Sequence, residues 1–493
     1  MTEILQKARD YEGKYSAFIK PEERPAFHLT PRVGWMNDPN GFCVYNGAYH
    51  LFYQYHPYST KWGPMHWGHA VSHDLLHWED LPVAIAPDTD YDYAGCFSGS
   101  AIELPDGRQL LMYTGVTREE GEDGTMRDLQ TQCLAVGDGV DYEKVSTNPV
   151  LTGLDVPEGF SRNDFRDPKI FRNPDGSFGC VVGNRTDDGS GAILLYRSED
   201  GFSWKYESML DRSYNEFGRM WECPDLFRLD GQDVLLTSPQ DMRALGLEFH
   251  SGNCTMALLG QIKDGQFLRD NVQAIDYGLD FYAPQTLESP DGRRIMIAWM
   301  QNWDTTAGCP EGAKWFGQMT TPRELTVRNG RLIHNPVREL ENLHGRRVAY
   351  KNVVVNEEVS LTGVYGRVLD MTVTVKPGDD KGYERFRIKF AKGSQHYCSV
   401  SYRPNTSTLR MSRTHAGFNR DFVHERKCRV RNQNGEIKLR IILDRFSAEI
   451  FVNDGEQALT MTFYTPQTAD GISFECSGNA LVSVEKYEII TAE

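Results

Sequence analysis

The first two thirds of the chain consist of short runs of apolar and aromatic residues that are separated by turn dipeptides. An Asn or Asp followed by Gly between two β-prone runs is the strongest local signal for a β-hairpin. Five of these dipeptides recur at intervals of 60, 69, 55 and 61 residues, at Asn46-Gly47, Asp106-Gly107, Asp175-Gly176, Asp230-Gly231 and Asp291-Gly292. A second series of turns recurs at intervals of 64, 62, 64 and 65 residues and contains Asp74, Asp138, Asp200, Asp264 and Asn329.

Two interleaved hairpin series of similar period predict a repeat of four strands, which is the blade of a β-propeller. Five repeats predict a five-bladed β-propeller over residues 28–338, whereas a sandwich or a solenoid leaves the two series unexplained. Residues 356–493 alternate apolar and polar positions without the long period, which is typical of an antiparallel β-sandwich. We therefore predict an all-β protein in which residues 1–27 form a short helix and an extended arm, and residues 339–355 link the domains.

The composition is that of a globular protein with an acidic surface. The chain has 493 residues, enough for two domains, and its 69 acidic and 53 basic residues give a net charge of −16. This charge disfavours binding to nucleic acid or to anionic lipid. No apolar run is long enough to span a bilayer, the first residues are too charged for a secretory signal, and the ten Cys are scattered singly. We therefore expect a cytoplasmic protein with reduced thiols.

Three carboxylates occupy the same register in different repeats. Counting eight residues back from each turn of the first series reaches Asp38, Ser98, Asp167, Glu222 and Ala283, the last of which follows Tyr282. These positions lie at the beginning of the innermost strand of each predicted blade, and the innermost strands converge around the axis of a propeller. We therefore predict a funnel that holds Asp38, Asp167 and Glu222 together, with Ser98 and Tyr282 nearby.

Carboxylates that share one pocket repel each other, so their proximity marks a functional site more often than a set of turn caps. Glycoside hydrolysis needs two carboxyl groups in different states. One is ionised and attacks or supports the anomeric carbon, and the other is protonated and donates to the leaving oxygen. Aromatic rings stack on sugar faces, although most of them pack in cores, and the candidates are Trp35, Trp62, Phe97, Trp221, Tyr282 and Trp299.

Two other classes of function remain open for this arrangement. A carbohydrate-binding propeller without catalysis is one, but a lectin has no use for three buried acids. An inverting hydrolase is the other, and its two working carboxyl groups would lie farther apart to admit a water molecule.

A histidine-rich segment raises the possibility of a metal site, since four of its residues have helical spacing: His66, His69, His73 and His77. In the matching turn of the third repeat, Glu199 and Ser203 stand in place of the last two histidines, which indicates a strand and a turn rather than a helix. The three carboxylates could instead hold a cation, but Arg166 beside Asp167 opposes this. We expect no metal and no cofactor.

Three segments, WMNDPNG (35–41), FRDP (165–168) and WECPD (221–225), resemble the signatures of glycoside hydrolase family 32. FYQY with Gln54, FSGS with Phe97 and Ser98, and DRFSAEIFVNDGEQALT near the end are also similar, so the resemblance covers nearly the whole chain. It implies a retaining β-fructofuranosidase for sucrose or sucrose-6-phosphate, and RPAFHLTPRVGWMNDPNG looks most like sucrose-6-phosphate hydrolases. A fructan exo-hydrolase or a fructosyltransferase is the alternative that the same resemblance allows.

The resemblance also implies a role for each carboxylate. Asp38 is expected to be the nucleophile and Glu222 the acid/base, about 5–5.5 Å apart, while Asp167 binds fructose hydroxyls and stabilises the transition state. Its neighbours are expected to keep Asp38 ionised, and burial beside Trp221 to favour the protonated form of Glu222. The residues expected to bind the sugar are Trp35, Asn37, Gln54, Trp62, Phe97, Ser98, Arg166 and Tyr282.

The sequence leaves the acceptor side of the site open. A phosphate on the substrate would need cations on the funnel rim, and the candidates are Lys61, Arg118, Arg185 and Lys314, each of which is equally well a solvated surface charge. We expect the sandwich to brace the propeller rather than to bind sugar or mediate a dimer. The sugar substrate is the only partner expected of a monomer or homodimer.

Overall fold

The two turn series connect the strands as the sequence predicted. Asn46-Gly47 joins the first two strands of the first blade, and Asp264-Gly265 joins the last two strands of the fourth blade. All four residues have positive φ, between 50° and 76°, and this backbone matches the twist of the flanking strands. The computed structural model, which describes residues 1–121 and 123–491, confirms the five-bladed propeller and the β-sandwich that follows it.

Each blade is an antiparallel sheet whose four strands follow one another in sequence order. The first blade consists of Gly34–Tyr45, Ala48–His56, His66–Ser72 and Trp78–Ile85, and the short parallel strand Trp315–Phe316 closes its inner edge. The second consists of Gly95–Glu103, Gln109–Glu120, Met126–Gly137 and Tyr142–Lys144, and the third of Phe160–Arg172, Phe178–Thr186, Gly191–Ser198 and Lys205–Arg212. The fourth consists of Met220–Leu229, Gln232–Gln240, Met256–Lys263 and Gln266–Ala274, and the fifth of Tyr282–Glu288, Arg294–Trp299, Arg323–Arg328 and Arg331–Pro336.

The C-terminal domain packs two antiparallel sheets face to face around an apolar core. The six-stranded sheet contains His344–Val355, Leu369–Pro377, Ile437–Asp444, Ser447–Val452, Gln457–Thr462 and Ala480–Ile489. The five-stranded sheet contains Tyr383–Lys392, Cys398–Arg403, Thr408–Ser412, Glu425–Arg429 and Gly471–Gly478. The stretch 339–355, expected to be a link, therefore contains a sandwich strand, which pairs with the last strand of the chain.

Helical structure is confined to one α-helix and four short 3-10 helices within the described part of the chain. The α-helix, Glu3–Ser16, begins at Thr2, whose hydroxyl accepts a hydrogen bond from the Leu5 amide (3.2 Å). The 3-10 helices are Pro21–Glu23, Trp303–Gly308, Arg338–Leu343 and Pro404–Thr406. Among the residues that the structure describes, no helix is both long and apolar enough to cross a membrane.

A buried ionic cluster joins the propeller to the sandwich. Arg323 of the fifth blade contacts Asp276 (3.0 Å) and Glu449 of the sandwich (2.6 Å). His28, at the end of the N-terminal arm, contacts Glu449 (3.1 Å) and Asp444 (2.8 Å). Burial opposes the charged imidazole, but these two carboxylates raise the pKa of His28 to about 9. Removing one member would leave a buried charge without its partner, so the cluster favours one docked arrangement of the domains.

The histidine-rich segment forms a strand and a turn. His66 and His69 lie in the strand His66–Ser72, and His77 contacts Asp74 (2.6 Å) in the turn that follows. Within residues 1–121 and 123–491, no three His, Cys, Asp or Glu side chains are grouped so that they could hold a metal ion.

Candidate active site

A β-bulge interrupts the innermost strand of every blade, in the middle of Phe160–Arg172 in the third blade and near the beginning of the strand in the other four. The bulged residues are Asn37 and Asp38, Ser98, Asp167 and Pro168, Cys223 and Pro224, and Ala283 and Pro284. A bulge turns consecutive side chains away from the regular alternation of a strand and aims them in a new direction. Four of the five bulges therefore bring polar side chains together at one end of the propeller axis, and the fifth contains only Ala283 and Pro284.

Counting eight residues back from the hairpin turn gives the wrong residue in the fourth blade, by one position. Asp38, Asp167 and Cys223 each lie in a bulge and directly precede a proline, so Cys223, not Glu222, corresponds to the two aspartates. Asp167 and Cys223 also share a left-handed backbone, with φ of 64° and 48°. The count is one residue out there because the fourth blade has neither the longer hairpin loop of the third blade, between Arg172 and Phe178, nor the second register shift of the first blade, after Asn40.

A cavity of about 720 Å³ opens at these bulges. Nine of the eleven residues predicted for the site line it, including all three carboxylates. The other two, Trp35 and Tyr282, are buried behind the wall, and each donates a hydrogen bond to a residue that lines the cavity. Trp62 is 42% exposed and stands at the rim, with its ring edge-on to Phe97.

Three hydrogen-bond donors hold the buried carboxylate of Asp38. The hydroxyl of Ser98 donates to Oδ2 (2.8 Å), the amide of Asn37 to Oδ1 (3.1 Å) and the thiol of Cys223 to Oδ2 (3.4 Å). The indole of Trp35 donates to Asn37 Oδ1 (2.7 Å) and so orients that amide. Burial and the nearby charge of Glu222 raise the pKa of Asp38 to about 6, while its three donors favour the anion. The carboxylate is therefore mostly ionised at pH 7 and fixed in direction.

Asp167 shares a donor with Asp38 at the bottom of the cavity. Its Oδ2 accepts hydrogen bonds from the backbone amide (2.9 Å) and the thiol (3.5 Å) of Cys223. Burial and the charge of Glu222 raise the pKa of Asp167 to about 7, although Arg166 acts in the opposite direction. Burial and the surrounding carboxylates also raise the pKa of Cys223, so its thiol stays protonated and acts as a donor to both aspartates.

Glu222 is held between a cation and a phenol. The guanidinium of Arg166 contacts Oε1 at 2.8 and 2.9 Å, and the hydroxyl of Tyr282 donates to Oε2 (2.6 Å). Trp221 does not line the cavity, because neighbouring side chains of a strand point to opposite faces. Its ring is fully buried, and its indole donates to the carbonyl of Phe217 (2.7 Å). The prediction that the carboxyl group of Glu222 lies beside the apolar ring of Trp221 is therefore wrong. The guanidinium of Arg166 lies beside it instead.

Several residues on the outer wall were not predicted from the sequence. They lie at the ends of strands and in loops of the second to fifth blades and include Asp128, Asn163, Asp164, Gln240 and Trp303. Their local sequences are those of ordinary hydrophilic loops. Trp303 carried the only usable signal, because it is an aromatic residue that can stack on a sugar; in the structure its ring stacks on Trp35 (6.1 Å between ring centroids).

Three carboxyl groups at the bottom of a sugar-sized cavity, with rigid donors and aromatic rims, define the class of glycoside hydrolases. The particular family follows from comparison with known proteins. Residues 28–336 match the glycosyl hydrolases family 32 N-terminal domain, and residues 339–491 match the C-terminal domain of that family. The chain belongs to glycosyl hydrolase family 32, which confirms the resemblance seen in the sequence.

The relatives are similar over almost their whole length. The raffinose invertase of Escherichia coli is 39% identical over 490 residues, which are 98% of each chain. The sucrose-6-phosphate hydrolase of Escherichia coli is 36% identical over 448 residues, or 89% of each. Among solved structures, the GH32 β-fructofuranosidase of Bombyx mori is 32% identical and has a TM-score of 0.83, with 98% of this chain and 97% of that one covered. The sucrose-6-phosphate hydrolase of Lactobacillus gasseri is 27% identical with a TM-score of 0.82, over 98% and 96%.

Proposed function

We propose that this protein is a retaining β-fructofuranosidase that hydrolyses the bond between fructose and glucose in sucrose or sucrose-6-phosphate. The proposal rests on the observation that Asp38 and Glu222 line the same cavity but have different partners: Ser98 donates a hydrogen bond to Asp38, and Arg166 forms an ion pair with Glu222. The names of the relatives support the substrate class, and a mutant of the Bombyx mori enzyme was solved in complex with sucrose.

In the first step, we propose, Asp38 attacks the anomeric carbon of fructose while Glu222 gives its proton to the glucosyl oxygen. The bond to glucose breaks, and a fructosyl ester forms on Asp38. Asn37 and Ser98 hold the attacking carboxylate in one orientation. Less conformational entropy is therefore lost when the reactants reach the transition state. Asp167 faces the same cavity and would accept hydrogen bonds from fructose hydroxyls as positive charge develops on the ring.

In the second step, Glu222 accepts a proton from water, and the water attacks the anomeric carbon from the side that glucose left. Asp38 leaves as a carboxylate, so two inversions give net retention. Arg166 stabilises the ionised state that Glu222 passes through after it has donated its proton, and Tyr282 keeps the carboxyl group aimed. The second step becomes fructosyl transfer if a sugar hydroxyl replaces water.

Incubation with sucrose in 10% methanol tests both the activity and its stereochemistry. We expect release of glucose and fructose, together with methyl β-fructofuranoside formed by methanol capture of the ester. Methyl α-fructofuranoside as the product would contradict the retaining mechanism. Binding of sucrose without release of any hexose would contradict the hydrolase and favour a lectin.

The pH dependence of kcat/KM reports the free enzyme and therefore the carboxyl groups described above. Attack requires ionised Asp38, whose raised pKa is about 6, so we expect kcat/KM to fall as the pH is lowered through about 6. Ser98→Ala removes a donor that favours the anion and should move this acid limb to higher pH. A wild-type limb near pH 4, or no movement in the variant, would contradict the assignment.

A separate observation supports a proposal for the cellular location. All ten cysteines are free thiols, and nine of them are buried. We propose that the enzyme works in the cytoplasm, where thiols stay reduced.

A further inference from the structure

The outer part of the cavity carries charges that the proposed reaction does not use. Among the residues that the structure describes, five carboxylates and three arginines line the cavity. Asp38, Asp167 and Glu222 account for three of the carboxylates, and Asp128 and Asp164 are the other two. The charged groups nearest to the acceptor sugar are therefore of both signs.

Each arginine that lines the cavity is already bound to a carboxylate. Arg185 contacts Asp164 (2.7 Å), Arg127 contacts Asp123 (2.8 Å) and Arg166 contacts Glu222 (2.8 Å). A pair of this kind presents both a donor and an acceptor surface. Such a surface suits sugar hydroxyls, because each hydroxyl can donate one hydrogen bond and accept others.

Two of the other cations suggested by the sequence are paired with carboxylates. Arg118 contacts Asp128 (3.1 Å), and Lys314 contacts Glu23 of the N-terminal arm (2.9 Å). Neither Arg118, Lys314 nor Lys61 lines the cavity. Arg162 lies farther out, in an adjoining cavity that shares Arg185 with the first.

From this charge arrangement we infer that the acceptor side is built for an uncharged sugar, so that sucrose is a better substrate than sucrose-6-phosphate. The inference rests on the proposed function. A phosphate group carries about −1.5 to −2 charges at pH 7. To bind Arg127 or Arg185 it would have to displace a carboxylate, and it would then face Asp128, Asp164 and the catalytic acids. A neutral sugar meets no such repulsion, so the same surface discriminates by charge.

A comparison of kcat/KM for three substrates distinguishes the effect of the acceptor's charge from that of its size: sucrose, sucrose-6-phosphate and raffinose. Raffinose carries a neutral galactosyl group on the glucose oxygen that carries the phosphate in sucrose-6-phosphate. We expect kcat/KM for sucrose-6-phosphate to be at least about tenfold below that for sucrose, with raffinose less affected. Added salt should narrow the difference, because it screens the phosphate. An equal loss with raffinose would overturn the inference, as would a preference for sucrose-6-phosphate.

A pair of matched variants tests the cause. Asp128→Asn removes a negative charge from the cavity wall and frees Arg118, so we expect kcat/KM for sucrose-6-phosphate relative to sucrose to rise at least about threefold. Asp106→Asn removes the same charge from a turn at the far end of an innermost strand and should leave this ratio unchanged.

An unchanged ratio in Asp128→Asn would overturn the inference. A selective loss of sucrose-6-phosphate activity in Arg162→Ala or Arg185→Ala would also overturn it, because the phosphate would then have a cationic site. Release of fructose from none of the three substrates would instead contradict the proposed function itself, and with it the inference.

Discussion

Replacing Asp38 by Asn lowers kcat for sucrose by about 10⁴-fold or more, because the amide cannot form the fructosyl ester on which both steps depend. This loss corresponds to about 5 kcal/mol of transition-state stabilisation. The amide oxygen of the variant can still accept from the Ser98 hydroxyl, so the local structure is preserved. Steady-state rates and mass spectrometry of the peptide that contains Asp38 check the result. The wild-type peptide should carry a fructosyl adduct after rapid acid quenching, and the variant peptide should carry none.

Stability provides the control for this variant. The folded-state pKa of Asp38 is raised from 3.8 to about 6, so above pH 6 the ionised carboxylate destabilises the fold by about 3 kcal/mol at most. Asp38→Asn should therefore unfold at the same or a higher temperature than the wild type at pH 7.5. The difference should disappear toward pH 4, where the wild-type carboxyl group is protonated in the folded state. Asp106→Asn should keep wild-type activity, and an Asp38→Asn variant with more than a tenth of wild-type kcat would remove Asp38 from the mechanism.

Replacing Glu222 by Gln lowers kcat for sucrose by about 10³-fold, because the glucosyl oxygen loses its proton donor and the water loses its base. An activated substrate, 4-nitrophenyl β-fructofuranoside, has a leaving group that departs without a proton, so its first step should be much less impaired. Azide attacks without a base and should restore turnover of this substrate, with fructosyl azide of β configuration as the product. Rates with and without azide, together with NMR of the product, measure both effects.

Tyr282→Phe is the matched control for Glu222→Gln, because it removes the hydrogen bond to Oε2 but leaves the carboxyl group. We expect a loss of about 10- to 100-fold, the range of one hydrogen bond to a charged group, and no rescue by azide. Equal losses with sucrose and the activated substrate in Glu222→Gln would contradict its role as acid. No acceleration by azide would contradict its role as base.

Local signals in the sequence were enough to predict the architecture. Hairpin turns such as Asn46-Gly47 depend on two adjacent residues that readily adopt positive φ, so their spacing reveals the number of strands and blades. The segments around Asp38, Asp167 and Glu222 could be recognised for the same reason, since each is contiguous. The beginning of the sandwich was less clear, because the strand His344–Val355 pairs with Ala480–Ile489 at the other end of the chain.

The partners of the catalytic groups depend on how the blades pack. The sequence predicted the three carboxylates, but it did not show that Arg166 and Tyr282 hold Glu222 or that Cys223 links Asp38 to Asp167. These contacts join different blades, and a bulge that moves one residue changes which side chain enters the cavity. The outer ion pairs of the acceptor wall lie within single blades: Arg118 and Asp128 belong to the second blade, and Arg185 and Asp164 to the third.

The sequence by itself therefore determined the repeat, the all-β fold and the identity of the candidate acids, because each depends on residues that are neighbours in the chain. Only the tertiary structure decided the charge state, the orientation and the outer surroundings of those acids. Burial, hydrogen bonding and Coulomb interactions act over a few ångströms between side chains that are tens to hundreds of residues apart in sequence.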